Sequence, residues 1–104
     1  MPSAQGNAGS NVKLDDQLNV KEPSQYNVII HNDNFTEMGF VVVVLMTIFN
    51  KQQDDAVSLM LKVHRTGSAV AGTYTYDIAM SKIDRATALA RANDYPLRFS
   101  CQKA

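Results

Sequence analysis

From Tyr26 onward, apolar and polar positions alternate in two distinct rhythms. Tyr26-Asn27-Val28-Ile29-Ile30-His31 is enriched in β-branched residues and predicts a strand. Asn32-Asp33-Asn34 breaks it, because three short polar side chains in a row compete for backbone hydrogen bonds and favour a turn. Thr36 is placed to cap a helix running to Phe49, with Glu37 in its first turn where the helix dipole favours negative charge. Within it, Val41-Val42-Val43-Val44 reads equally well as a buried strand, and periodicity cannot choose for an all-apolar run. Gly39 weakens the helix reading by about 1 kcal/mol.

After the polar break Asn50 to Gln53, Ala56, Leu59, Met60 and Val63 recur at helical spacing and predict a second helix, about Gln53 to Arg65. Gly67 suits its C-terminal stop. Ser68 to Tyr76 alternates small and β-branched residues around Gly72, which predicts a strand with a close backbone approach. Thr75 can cap a third helix, about Tyr76 to Asn93, with Ile83, Ala86, Leu89 and Ala90 facing inward. Pro96 ends it, and Leu97, Phe99 and Cys101 alternate as the last strand. The order β-α-α-β-α-β predicts one small α+β domain, a three-stranded antiparallel sheet with three helices on one face.

Residues 1–25 read differently. They are rich in Ser, Asn, Gln, Gly and charge, with too few large apolar groups to offset ordering entropy, and predict a flexible extension ahead of a core domain at 26–104. No signal peptide or transit peptide is visible there, and Phe40 to Phe49 is too short to span a membrane. The formal net charge of zero argues against nucleic-acid binding through bulk electrostatics. Cys101 is the only cysteine, excludes an intrachain disulfide, fits a reducing cytoplasm, and reads as a buried small hydrophobe.

Little points to an enzyme. Asp33 and His64 are an acid–base pair in principle, but no nucleophile with an orienting partner and no phosphate loop accompanies them. His31, His64 and Asp33 lack a spacing that closes a zinc site, so no metal or other cofactor is expected.

Five blocks in order carry a resemblance. They are Asn32-Asp33-Asn34-Phe35-Thr36-x-Met38-x-Phe40-Val41, Leu59-Met60-Leu61-x-Val63-His64-x-x-Gly67, Gly72-x-Tyr74-Thr75, Ala79-x-x-Lys82, and Pro96-Leu97 ahead of Lys103-Ala104. In these blocks the segment Tyr26 to Ala104 resembles the core domain of the ClpS family, the adaptors of the N-degron (N-end rule) pathway. The sequence departs from the family pattern at Asn34 (usually Asp), Phe35 (often Tyr) and Gly39 (often acidic).

The resemblance assigns the valine run to the first helix. It implies a cytoplasmic, monomeric adaptor that binds free N-termini of proteins beginning with Leu, Phe, Tyr or Trp. It also implies delivery to a ClpA- or ClpC-type AAA+ unfoldase with the ClpP protease. Carried over residue by residue, Asn32, Asp33 and His64 would hold the amine, supported by Asn34 and Thr36. Met38, Val41, Met60, Val63 and Leu97 would line the hydrophobic pocket, and Asp77 and Lys82 would face the unfoldase. A ribosomal-stalk-like interaction domain shares the element order and is the alternative, since fold does not fix function.

Overall fold

The computed structural model describes residues 23–104, so most of the predicted extension at 1–25 lies outside the described residues. The elements are β1 (Gln25–His31), α1 (Met38–Thr47), α2 (Gln53–Thr66), β2 (Ser68–Thr75), α3 (Tyr76–Ala92) and β3 (Arg98–Lys103). The predicted β-α-α-β-α-β order stands.

β1 is the central strand and pairs antiparallel with β2 on one side and β3 on the other. Its Val28 and Ile30 are fully buried, as a strand covered on one face requires. The β1–β2 register slips between Val28 and Ile29, which pair with Gly72 and Val70, so Ala71 is the extra residue of a bulge. Gly72 beside it meets the predicted close approach: a Cβ there would collide with the Tyr74 hydroxyl and the ring carbons next to it.

The valine run is helical. Val41, Val44 and Leu45 are buried while Val43 is 48% exposed, so apolar residues cover both faces of α1. α2 packs on α1 and on β2, and α3 lies across all three strands. Ala56, Val63, Ala79, Ala86, Ala90, Leu97 and Phe99 complete the core. Small alanines along α3 let that helix approach the sheet closely.

Five local expectations are corrected. Thr36 does not cap α1: Glu37 holds the cap position without a side-chain cap bond, and α1 ends at Thr47 rather than Phe49. The chain turns there through Asn50, at φ 57°, as Lys51 N–H donates to the Leu45 carbonyl at 3.0 Å. Glu37 is therefore not in the first turn, and its carboxylate accepts the Tyr95 hydroxyl at 2.8 Å. Leu89 is exposed, the inward seam of α3 being Ala79, Ile83, Ala86 and Ala90. Cys101 is half-buried, packing against the edge of the core. Thr75 does hold the cap position of α3, again without a side-chain bond.

Candidate binding site for a free amine

The end of β1 is tied to the end of α2. Gly67 closes α2 at φ 97°, a left-handed conformation that glycine adopts without a Cβ penalty, and donates its N–H to the Val63 carbonyl at 2.8 Å. The Gly67 carbonyl in turn accepts the Asn32 N–H at 2.9 Å. This bond brings Asn32, where β1 stops, to the last turn of α2, which carries His64.

Asp33 then builds the connection to α1. Its Oδ1 accepts the N–H groups of Phe35 (2.8 Å) and Thr36 (2.7 Å), and its Oδ2 accepts the Thr36 hydroxyl at 2.8 Å. Burial pushes the Asp33 carboxyl up, but those three hydrogen bonds and the Arg91 charge outweigh it and hold the group below its ordinary value. A carboxylate has about four acceptor positions, so one remains for an outside donor. The Thr36 hydroxyl thus serves the loop rather than the helix.

The opposite wall comes from the α3–β3 connection. Arg91 Nη1 donates to the carbonyls of Tyr95 (2.7 Å) and Leu97 (2.9 Å). Tyr95 also lies against Phe40 of α1, ring centroids 4.7 Å apart. Leu97 itself is buried.

Between these walls lies a cavity of about 190 Å³. Its lining brings together Asn32, Asp33, Asn34, Thr36 and His64, exposed or half-buried, as a polar rim, and Val41, Met60, Val63 and Leu97, buried or half-buried, as an apolar floor, with Met38 between them. Every residue expected at the amine and pocket positions is therefore found around one opening. Met38 is 43% exposed, a flexible side chain at the mouth.

His31, which its sequence spacing excludes as a zinc ligand, also lines the cavity. Its Nε2 shares a 2.7 Å hydrogen bond with Ser100 Oγ on β3. Burial, then the charge of Arg98 opposite it, pushes its pKa down, so the neutral ring is favoured. The available signal was its position, a titratable residue closing a strand beside Asn32 and Asp33.

The two residues expected to face an unfoldase lie away from this cavity. Asp77 is exposed in the first turn of α3. Lys82 is part-buried, donating from Nζ to the Ile48 carbonyl at 2.6 Å, with that nitrogen 5.2 Å from the centroid of the Tyr74 ring. Among the described residues no cluster of three or more His, Cys, Asp or Glu is placed to hold a metal ion, and no helix is long and apolar enough to cross a membrane.

Comparison with known proteins places the chain among relatives. Residues 21–100 match the model of the family described as "ATP-dependent Clp protease adaptor protein ClpS". A ClpS adapter protein from Syntrophus aciditrophicus is 52% identical over 90 residues, 86% of this chain and 82% of the relative. One from Myxococcus xanthus is 51% identical over 83 residues, 80% of this chain and 78% of the relative. The solved structure of Agrobacterium tumefaciens ClpS2 bound to L-phenylalaninamide is 36% identical and superposes with a TM-score of 0.77, covering 80% of this chain and all of that one. With a family match over most of its length and relatives at half identity, the chain belongs to the ClpS family, adaptors of the ATP-dependent Clp protease and not enzymes.

Proposed function

We propose that this chain is an N-degron adaptor that captures proteins by a free N-terminal residue with a bulky hydrophobic side chain and delivers them to a Clp AAA+ unfoldase. The observation that carries the reading is the single opening with acceptors at its rim and apolar side chains at its floor. A free α-amine is a cation with three donors and needs inward-pointing acceptors. The Asn32 amide oxygen, the remaining position on the Asp33 carboxylate and a His64 ring nitrogen are the acceptors at hand. His31 adds no charge while its ring stays neutral.

The floor suits Leu, Phe, Tyr and Trp. A cavity of ~150 Å³ lined by aliphatic side chains holds benzene, so about 190 Å³ accommodates a phenyl ring. The two methionines adapt to flat or branched shapes. A β-branched residue such as Ile places bulk beside its own backbone, where Met38 crowds it. Phenylalaninamide, bound by the Agrobacterium relative, carries both a free amine and a benzyl side chain.

Burying such a side chain contributes about 1.5–3 kcal/mol and each charge-assisted bond a similar amount. Against the cost of association this gives roughly micromolar affinity, weak enough for cargo to be released.

The partner in this reading is a ClpA- or ClpC-type unfoldase with ClpP, approached by a monomeric adaptor through the surface bearing Asp77 and Lys82. Lys82 has donors left beyond the one spent on Ile48. The stalk-like alternative rested on element order alone, whereas the family match spans residues 21–100. The test is degradation of a reporter beginning with Leu by ClpP with either unfoldase. This chain should accelerate it, leave an Ile-initiated reporter untouched, and lose the effect on charge reversal at Asp77. Equal acceleration of both reporters would overturn the reading.

A further inference from the structure

Met38, Val41, Met60 and Val63 stand on α1 and α2, and Asp33 braces the 33–36 turn, but Leu97 stands on a second connection. Residues 93–97 link α3 to β3, with Asp94 in the left-handed region at φ 61°. Proline at position 96 has no N–H to contribute, so this connection must be held by other groups. Tyr95 N–H returns to the Ala90 carbonyl at 2.9 Å, and the two carbonyls flanking Pro96 converge on one atom, Arg91 Nη1. The Tyr95 hydroxyl anchors the same connection to Glu37 at the start of α1.

We propose that Arg91 is a positioning residue for first-residue selectivity: by holding the carbonyls of Tyr95 and Leu97 on a single nitrogen, it sets how far the Leu97 side chain projects toward Met38 and Val41. This rests on the reading of the cavity as the seat of the N-terminal side chain. The guanidinium lines none of the cavity itself. It reaches the floor through the Leu97 backbone, and the floor reads its effect as width. Its charge near Asp33 bears on the amine that all cargo shares and so cancels in a ratio of peptides.

The consequence differs with ligand size. A fixed Leu97 keeps the cavity narrow enough for a leucine side chain to touch every wall. When the clamp is removed, Leu97 retreats, a small side chain loses contact on that side, and a large ring still fills the space. Dispersion contacts fall off steeply with even a small gap, so Leu should suffer more than Trp.

Arg91 is exposed, so Arg91→Gln removes the two bonds without opening the core. Tyr95→Phe is the comparison variant: it deletes the bond to Glu37 while leaving the clamp and the ring against Phe40. Both would be titrated, in the full chain, against peptides beginning with Leu and with Trp, with melting temperatures measured in parallel. Arg91→Gln should weaken the Leu peptide by roughly tenfold and the Trp peptide by about twofold or less, whereas Tyr95→Phe should leave their ratio unchanged.

Methyl NMR of the ligand-free proteins supplies a readout independent of cargo. The Leu97 methyls should lose order in Arg91→Gln and keep it in Tyr95→Phe. Equal loss of affinity for both peptides, or undisturbed Leu97 methyls in Arg91→Gln, would overturn the proposal. A wild-type chain that binds neither peptide, with the methyl result as expected, would instead overturn the reading of the cavity and leave the clamp standing.

Discussion

The Asn32 N–H donates to the Gly67 carbonyl across 2.9 Å, joining the residue that follows β1 to the residue that caps α2. Two stop signals in the chain thereby become one rim. Asn32 and His64 are 32 positions apart in sequence, yet this bond, with the left-handed turn behind it, is what gives them a common opening.

Gly67→Ala tests that junction. A Cβ at this position meets open space, so the penalty is confined to the backbone at φ 97°. Holding a non-glycine residue in the left-handed region costs about 1–2 kcal/mol. Urea unfolding should report a loss of that size with an unchanged slope, and peptide affinity should fall with it as the Asn32–Gly67 bond loosens.

Substitutions of Asp33 separate its two roles. Asp33→Ala removes three acceptor contacts, so it should both loosen the 33–36 turn and weaken binding of a free-amine peptide by more than about tenfold. Asp33→Asn keeps an oxygen for the Phe35 and Thr36 N–H groups but loses the charge. Its melting temperature should stay close to wild type while affinity still drops roughly tenfold. Calorimetric titration beside thermal melts distinguishes the two patterns; an Asn variant with wild-type affinity would show that the charge is not used.

His31 makes stability depend on pH in a direction its surroundings fix. Its pKa is lowered in the folded chain by burial and then by Arg98, so below the ordinary histidine value of about 6.5 the unfolded state binds more protons than the folded one. The stabilising contribution is therefore complete above that value and is lost as pH falls through it toward the folded pKa. Asp33, also lowered, keeps its contribution until pH falls below the ordinary carboxylate range. Unfolding free energies between pH 8 and 5 should decline in the wild type, and His31→Gln should flatten the upper part of that decline.

The strands, the second helix and the glycine stop at Gly67 were legible because each follows a local rule: alternation, 3.6-residue spacing, positive φ. The valine run was not. With Val43 exposed on one side and Val44 buried on the other, α1 has no apolar stripe for periodicity to find, and only resemblance to a family assigned it.

Thr36 reads as a cap because a hydroxyl ahead of a helix is the usual pattern, but Asp33, three residues earlier, takes that hydroxyl. The contacts of Tyr95 with Glu37, 58 positions away, and of His31 with Ser100, 69 positions away, depend on tertiary placement that no local pattern encodes. The floor and rim of the cavity were named residue by residue through the five blocks. The clamp at Arg91 went unnoticed because its partners are backbone carbonyls, which every sequence possesses.

Recognition of a charged N-terminus together with its side chain is decided by titrating the chain into a fluorescent peptide beginning with Phe, beside the same peptide N-acetylated and one beginning with Ile. Acetylation removes the positive charge and leaves the ring in place. The free Phe peptide should bind with roughly micromolar affinity and the other two at least about tenfold more weakly. Equal affinity for the free and acetylated peptides would contradict it, reducing the cavity to a hydrophobic surface indifferent to the amine.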